Sequence, residues 1–172
     1  MIRRANINEY DSVLAFYYQL IDDMEDMEYR PMWQKGVYPD PKELQAALNN
    51  AELYIDEEDG HIIAAMRVNH DATDGYEKIT WAADASKEEV TIIHMLGVSR
   101  VVQGKGIAKK MVQHVIDSAR EEKQKAIRLD VLFGNIPANR LYESMGFQYR
   151  EKITLFYEDT GITDFELYEL VL

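Results

Sequence analysis

From residue 103 to 108 the chain reads Gln103-Gly104-Lys105-Gly106-Ile107-Ala108, and such a loop at the head of a helix can hold an anion. The unpaired backbone N–H groups of a first helical turn and the positive end of the helix dipole attract the same negative charge. Gly104 and Gly106 let the backbone approach a pyrophosphate at dihedral angles that a Cβ resists, and Lys105 adds a charge. An isolated pair of glycines also serves in a plain tight turn, so the better-known phosphate loops must be compared. A P-loop needs glycine where the chain has Ser99 and Ser or Thr where it has Gly106, and a dinucleotide fingerprint begun at Gly104 needs glycine or alanine at Lys109. Neither loop is present. The chain has no cysteine, which removes a disulfide framework, a thiolate zinc site and a cysteine nucleophile; no metal is expected.

The elements around this loop follow from periodicity. Val90 to Val98 is a β-branched and apolar run, and from Gly106 to Glu122 the residues Ile107, Met111, Val115 and Ala119 fall on one helical stripe. The order is therefore strand, glycine loop, helix. Ile127, Leu129, Val131 and Phe133 alternate as a strand, and Asn135 to Met145 form a helix that Gly146 ends in the C′ position. Upstream, Ile2 to Ala5 form a short strand, and Tyr10, Leu14, Tyr17 and Ile21 recur at helical spacing. A loop with Trp33, Gly36, Pro39 and Pro41 interrupts helicity, and a second helix runs from Pro41 to Asn50. Leu53 to Glu57 and His61 to Asn69 read as a hairpin joined through Asp59-Gly60. Asp71 to Glu89 has little periodicity and is expected to be loop. Strands near Phe147 to Tyr157 and Phe165 to Leu172 close the chain. A hairpin at each end with alternating strands and helices between them indicates a single α/β domain over 1–172 with a mixed sheet.

Composition narrows the partners. The 31 acidic against 19 basic side chains leave a net charge of −12, which repels phosphate backbones and anionic membranes. Neither nucleic acid nor membrane is an expected partner. The N-terminus has no continuous apolar signal region and no stretch is long enough to span a bilayer, so a cytoplasmic location is expected.

Two motifs then carry a resemblance. Gln103, Gly106 and Ala108 match Gln/Arg-x-x-Gly-x-Gly/Ala behind the strand Ile92-Ile93-His94-Met95-Leu96-Gly97-Val98, and Asn135-Ile136-Pro137-Ala138-Asn139-Arg140-Leu141-Tyr142-Glu143-Ser144-Met145-Gly146-Phe147 matches Asn-x-x-Ala-x-x-Leu-Tyr-Glu-x-x-Gly-Phe. In both the chain resembles the Gcn5-related N-acetyltransferase (GNAT) family. The resemblance implies a mixed sheet flanked by helices whose two central parallel strands splay apart. It also implies acetyl-CoA as cosubstrate. The backbone of Leu96, Gly97 and Val98 would pair with the pantetheine arm, and the loop from Gln103 to Ala108 would cradle the pyrophosphate.

By the same resemblance Tyr142 would protonate the departing sulfur, a task suited to a phenol near its ordinary pKa of about 10; packing in the core is the other role open to it. Asn135 would contact the cofactor arm, and it would also cap its helix. Asn139 is a weaker candidate of the same kind. Where many relatives carry a Glu as base, this chain has His94 and Met95, so His94 is the expected substitute, with hydrogen-bonded packing as its alternative and a water chain to bulk as the route without a dedicated base. Acceptor-site residues are expected among Tyr29, Trp33, Tyr38 and Trp81, whose rings could hold an apolar amine or a cation.

The expected activity is acetyl transfer to a primary amine of a small molecule. Two alternatives stand beside it: acetylation of a protein N-terminus or lysine, and a non-catalytic acyl-CoA-binding sensor. The terminal strands also allow two chains to pair as a homodimer, although the sequence gives no interface.

Overall fold

The computed structural model describes residues 1–172. Its seven strands are β1 (Ile2–Arg4), β2 (Leu53–Glu58), β3 (His61–Asn69), β4 (Val90–Val98), β5 (Ala126–Leu132), β6 (Gln148–Tyr157) and β7 (Gly161–Val171), and its four α-helices are α1 (Tyr10–Asp23), α2 (Pro41–Asn49), α3 (Ile107–Glu121) and α4 (Ile136–Ser144). One mixed sheet runs in the order β1-β2-β3-β4-β5-β7-β6. Only the central pair β4–β5 is parallel.

That parallel pair is short. Its register covers Val90 with Ala126, Thr91 with Ile127 and Ile92 with Arg128, after which β4 and β5 part and leave the backbone from Ile93 onward without a neighbour on that side. On its other side β4 pairs with β3, but the register slips between Ala65 and Arg67, and Met95 takes a left-handed φ of 55°. A bulge inserts an extra residue and re-aims the side chains after it. Its effect here is that His94 and Met95, neighbours in sequence, both face the same side of the sheet, where they line one cavity.

The two faces carry separate cores. Helix α3 packs Met111, Val112, Val115, Ile116 and Ala119 against Ile93, Ile127, Leu129 and Val131, together with Tyr142 of α4 and Phe147. Met111 is fully buried, so its truncation to alanine would cost about 2–5 kcal/mol. On the other face α1 and α2 bury Val13, Phe16, Tyr17, Leu20, Leu44, Ala47 and Leu48 against β2 and Met95. The apolar stripe of α1 is thus centred on Val13, Phe16, Tyr17 and Leu20, whereas Tyr10, Leu14 and Ile21 flank it half-buried. Every residue from Val13 to Leu20 except Gln19 is apolar or aromatic, which makes the face ambiguous by spacing alone.

The segment from Asp71 to Glu89 is more ordered than its lack of periodicity suggests. Two 3₁₀ turns, Tyr76–Lys78 and Lys87–Glu89, carry Tyr76 and Ile79 into a third cluster with Val90, Ile92, Leu155, Phe165 and Leu167. A 3₁₀ turn has too few residues for a period to show.

Candidate active site

The parting of β4 and β5 opens a cavity of about 120 Å³ that passes through the sheet. Ile93 and Val131 reach it from the α3 face, and His94, Asp130 and Leu132 from the other. Tyr142, Asn135 and Ala138 of the α4 region close one end, while Trp33, Tyr38, Tyr157, Asp159 and Thr160 close the other. The structure therefore brings together six of the residues singled out from the sequence: Tyr142, Asn135, His94, Leu96, Trp33 and Tyr38.

Each is held by a local reason. Asn135 caps α4, its Oδ1 accepting from the Ala138 N–H at 3.4 Å, with Pro137 in the first turn where its missing N–H costs nothing. Tyr142 lies two turns further along, edge-on to Phe147 with ring centroids 5.5 Å apart. Burial pushes its phenol well above the ordinary value, assisted by the Asp130 carboxylate. The group is thus a proton donor throughout the physiological range. Its ring packs in the core and also lines the cavity.

His94 differs from expectation. Its Nε2 lies 3.0 Å from Asn69 Oδ1. That amide is oriented by the Asp71 N–H, which donates to Oδ1 at 3.0 Å, and by Glu52, whose Oε2 accepts from Asn69 Nδ2. Nε2 must then carry the proton, leaving Nδ1 as the ring's lone pair. Burial and then Arg67 push the imidazole down to about 4, not the 6.5 of a free side chain. It stays neutral at physiological pH, because burial and Arg67 outweigh the opposing pull of Glu52 and Asp71.

Asp130 moves the opposite way. Its Oδ2 accepts from the Tyr76 hydroxyl at 2.8 Å and from the Tyr157 hydroxyl at 3.1 Å, and burial raises its carboxyl above the ordinary carboxylate range against both bonds. No role for it was evident in the sequence. Asp130 stands between the inward residues Leu129 and Val131, the place of a solvent-facing polar residue in an alternating strand. Two signals were present, namely an acidic side chain two residues from the strand's end and a tyrosine at 76 in a segment without period, but neither is specific.

The aromatic residues divide. Rings run from Tyr17 to Trp33 (5.9 Å), Tyr38 (6.2 Å), Tyr157 (5.7 Å) and Phe165 (5.0 Å), measured between successive centroids. Trp33 and Tyr38 belong to this wall, and Gln34 between them donates from Nε2 to the Asp159 carbonyl at 2.7 Å, tying the loop to the β6–β7 turn. Tyr29 is exposed outside the cavity. Trp81 also lies elsewhere, with its indole N–H on the Tyr76 carbonyl and its ring 4.3 Å from the Arg128 guanidinium carbon.

The glycine loop precedes α3 on the same side as Tyr142. Gly104 and Gly106 have φ of 77° and 79°, and a Cβ at either would meet nothing within 4 Å. The N–H groups of Gly104, Gly106, Ile107 and Ala108 have no acceptor, whereas the Lys105 N–H bonds the Val102 carbonyl. The Lys105 amide is therefore not among the free donors of the loop. Gln103 Nε2 reaches the Val98 carbonyl at 3.4 Å. Gly97 serves packing: a Cβ there would press on the Leu20 Cδ2 methyl and touch Trp33 and Tyr17, so the α1 side chains would have to shift. Asn139 turns away, its Nδ2 donating to Glu166 and its Oδ1 buried without a partner.

The profile of the acetyltransferase (GNAT) family matches residues 18–147. The chain belongs to the GNAT family. Sequence relatives agree over shorter stretches: the N-acetyltransferase YsnE of Bacillus subtilis (strain 168) is 44% identical over 59 residues, 32% of this chain and 38% of YsnE. N-alpha-acetyltransferase 30 of Saccharomyces cerevisiae is 38% identical over 69 residues, 40% of this chain and 39% of that protein. The matched region thus spans well under half of either relative. Solved structures share the GNAT fold over the whole length. An acetyltransferase of the family from Streptococcus agalactiae has a TM-score of 0.82 at 20% identity, with 100% of this chain and 95% of that one covered. The yncA protein of Salmonella typhimurium, solved with acetyl-CoA, has a TM-score of 0.72 at 17% identity and coverage of 100% and 93%. In this GNAT chain no helix is long and apolar enough to cross a membrane.

Proposed function

We propose that the chain transfers an acetyl group from acetyl-CoA directly to a primary amine of a small molecule. The residues present fit the cosubstrate. The free N–H groups of Gly104, Gly106, Ile107 and Ala108 suit a pyrophosphate. The unpaired side of β4 past Ile92 suits an extended amide-bearing arm, which would add to the sheet as a strand does. Bound there, acetyl-CoA supplies a thioester at which a C–N bond to the amine replaces the C–S bond, one proton leaving the nitrogen and one joining the thiolate.

The chain's residues account for both protons. Tyr142, kept protonated by burial, donates to the sulfur. For the amine's proton two groups line the cavity, and burial moves them oppositely: the His94 imidazole falls to about 4, while the Asp130 carboxyl rises above its ordinary value. A general base is most effective when its pKa approaches the operating pH, which favours Asp130. His94 then serves as a neutral wall that positions the acceptor through Nδ1. Asn135 keeps its capping role and borders the arm.

A small acceptor is favoured by one observation. The Gln34–Asp159 hydrogen bond joins the loop beside the cavity to the β6–β7 turn, narrowing the site where a polypeptide acceptor needs an open groove. Acetylation of a protein N-terminus is the second reading, supported by the name of the yeast relative. Free-thiol release from acetyl-CoA, measured with a panel of small amines and of peptides with free N-termini, separates them. Release with small amines is expected. Release only with peptides would replace the first reading with the second, and no release from any acceptor would overturn both.

A further inference from the structure

The acceptor cavity is one-sided in charge. Asp130 and Asp159 line it, and no Lys or Arg does. Asp159 sits in the β6–β7 turn with Oδ1 buried and unpartnered, and burial raises its carboxyl. Both hydrogen bonds to Asp130 fall on Oδ2, leaving Oδ1 for the cavity. Each carboxylate has donors of its own, Tyr76 and Tyr157 for Asp130 and the backbone at 159 and 160 for Asp159, but an enclosed oxygen left without one costs desolvation free energy that a bound cation recovers.

The surroundings agree. Trp33, Tyr38 and Tyr157 form the adjoining wall, and the faces of such rings attract cations. A groove of about 340 Å³ shares Tyr38, His94 and Tyr157 with the cavity. It adds the carboxylates of Asp40, Glu43, Asp71 and Glu158 against a single cation, Arg67, whose Nε is already bonded to Glu52 at 2.7 Å. An acceptor with a carboxylate tail would meet four carboxylates against the one guanidinium of Arg67 there, and one with a neutral tail would leave Asp159 Oδ1 unpaired.

We propose that the acceptor carries a second positive charge besides the amine that is acetylated, as in a diamine or a guanidino-amine, held by Asp159 against the Trp33, Tyr38 and Tyr157 rings. The inference rests on the acetyl-transfer reading above and narrows its substrate class.

Four amines with the same four-carbon spacing test it: putrescine, agmatine, n-butylamine and γ-aminobutyrate, which differ in the charge at the far end. With acetyl-CoA and thiol release as readout, putrescine and agmatine are expected to exceed n-butylamine in kcat/KM by about tenfold or more, through KM, with γ-aminobutyrate below all three. Asp159→Asn should bring the putrescine to n-butylamine ratio close to one. If that variant does not fold, the ranking on the unaltered protein decides alone. Equal use of n-butylamine and putrescine would overturn the charge requirement while leaving acetyl transfer intact. Silence with all four also overturns it, and the wider amine and peptide panel then shows whether transfer itself has failed.

Discussion

The Tyr157 hydroxyl donates to Asp130 Oδ2 at 3.1 Å, and Thr73 Oγ1 lies 2.9 Å from the same phenol. With Tyr157 donating forward, Thr73 donates to it, so a chain of hydroxyls ends on the one carboxylate buried beside Tyr142. Both tyrosine bonds lower the Asp130 pKa against the raising effect of burial. Tyr157→Phe removes one of them, and the carboxyl should rise further. If Asp130 accepts the amine's proton, kcat/KM climbs with pH through its pKa, because the carboxylate is the active form. The climb should move to higher pH in Tyr157→Phe and vanish in Asp130→Asn, with the rate lowered about 10²–10⁴-fold. A pH–rate profile with a weakly basic acceptor checks this, and a limb that stays in place in Tyr157→Phe would assign it to another group.

His94 makes a prediction about stability. Its folded pKa of about 4 lies below the unfolded 6.5, so the unfolded state binds more protons between those values. The contribution is complete above about pH 6.5 and is lost as pH falls through the folded value, amounting to about 3 kcal/mol. Urea unfolding at neutral pH and near pH 4 should show this loss, and His94→Gln, which can still donate to Asn69 Oδ1, should show less of it. The same substitution leaves the rising, lower-pH limb of kcat/KM in place if Asp130 is the base. Removal of that limb in His94→Gln would return the role to the imidazole, as the sequence alone led us to expect.

How far the sequence could be read depended on whether neighbours in the chain were enough. The strand Val90–Val98, the glycine loop and α3 follow from local pattern, because the apolar residues of α3 meet a single sheet face. Asp59-Gly60 and Gly146 also act locally. Asp130 could not be recognised, since it is enclosed only when Tyr76 and the β6–β7 hairpin are folded over it from distant parts of the chain. The wall was read in part: Trp33 and Tyr38 line the cavity, whereas Trp81, equally aromatic, stacks on Arg128. Composition does not distinguish a ring that faces a cavity from one that covers a guanidinium.

Tyr142→Phe tests the acid. It removes one hydroxyl and keeps the ring that packs on Phe147, so folding should be unaffected. Turnover should fall about 10²–10⁴-fold while the acetyl-CoA concentration that half-saturates a thermal shift stays nearly constant. A variant that retains full turnover would leave the residue with its packing role alone.

The last prediction concerns the glycine loop, where conformation and ligand can be separated. Gly106 has φ of 79° and open space around its missing Cβ. Gly106→Ala therefore meets no clash and is strained only by the left-handed angle, about 1–2 kcal/mol. Its melting temperature should drop, yet acetyl-CoA should still raise it, because the N–H groups at 107 and 108 remain free. Gly106→Asp adds a negative charge where the pyrophosphate is proposed to sit, with a similar backbone cost. Its melting temperature without cofactor should be no lower than that of Gly106→Ala, because a carboxylate suits the head of α3, but the rise with acetyl-CoA should disappear. A rise of equal size in both variants would show that the cofactor's phosphates lie elsewhere, whatever the stability of the two proteins.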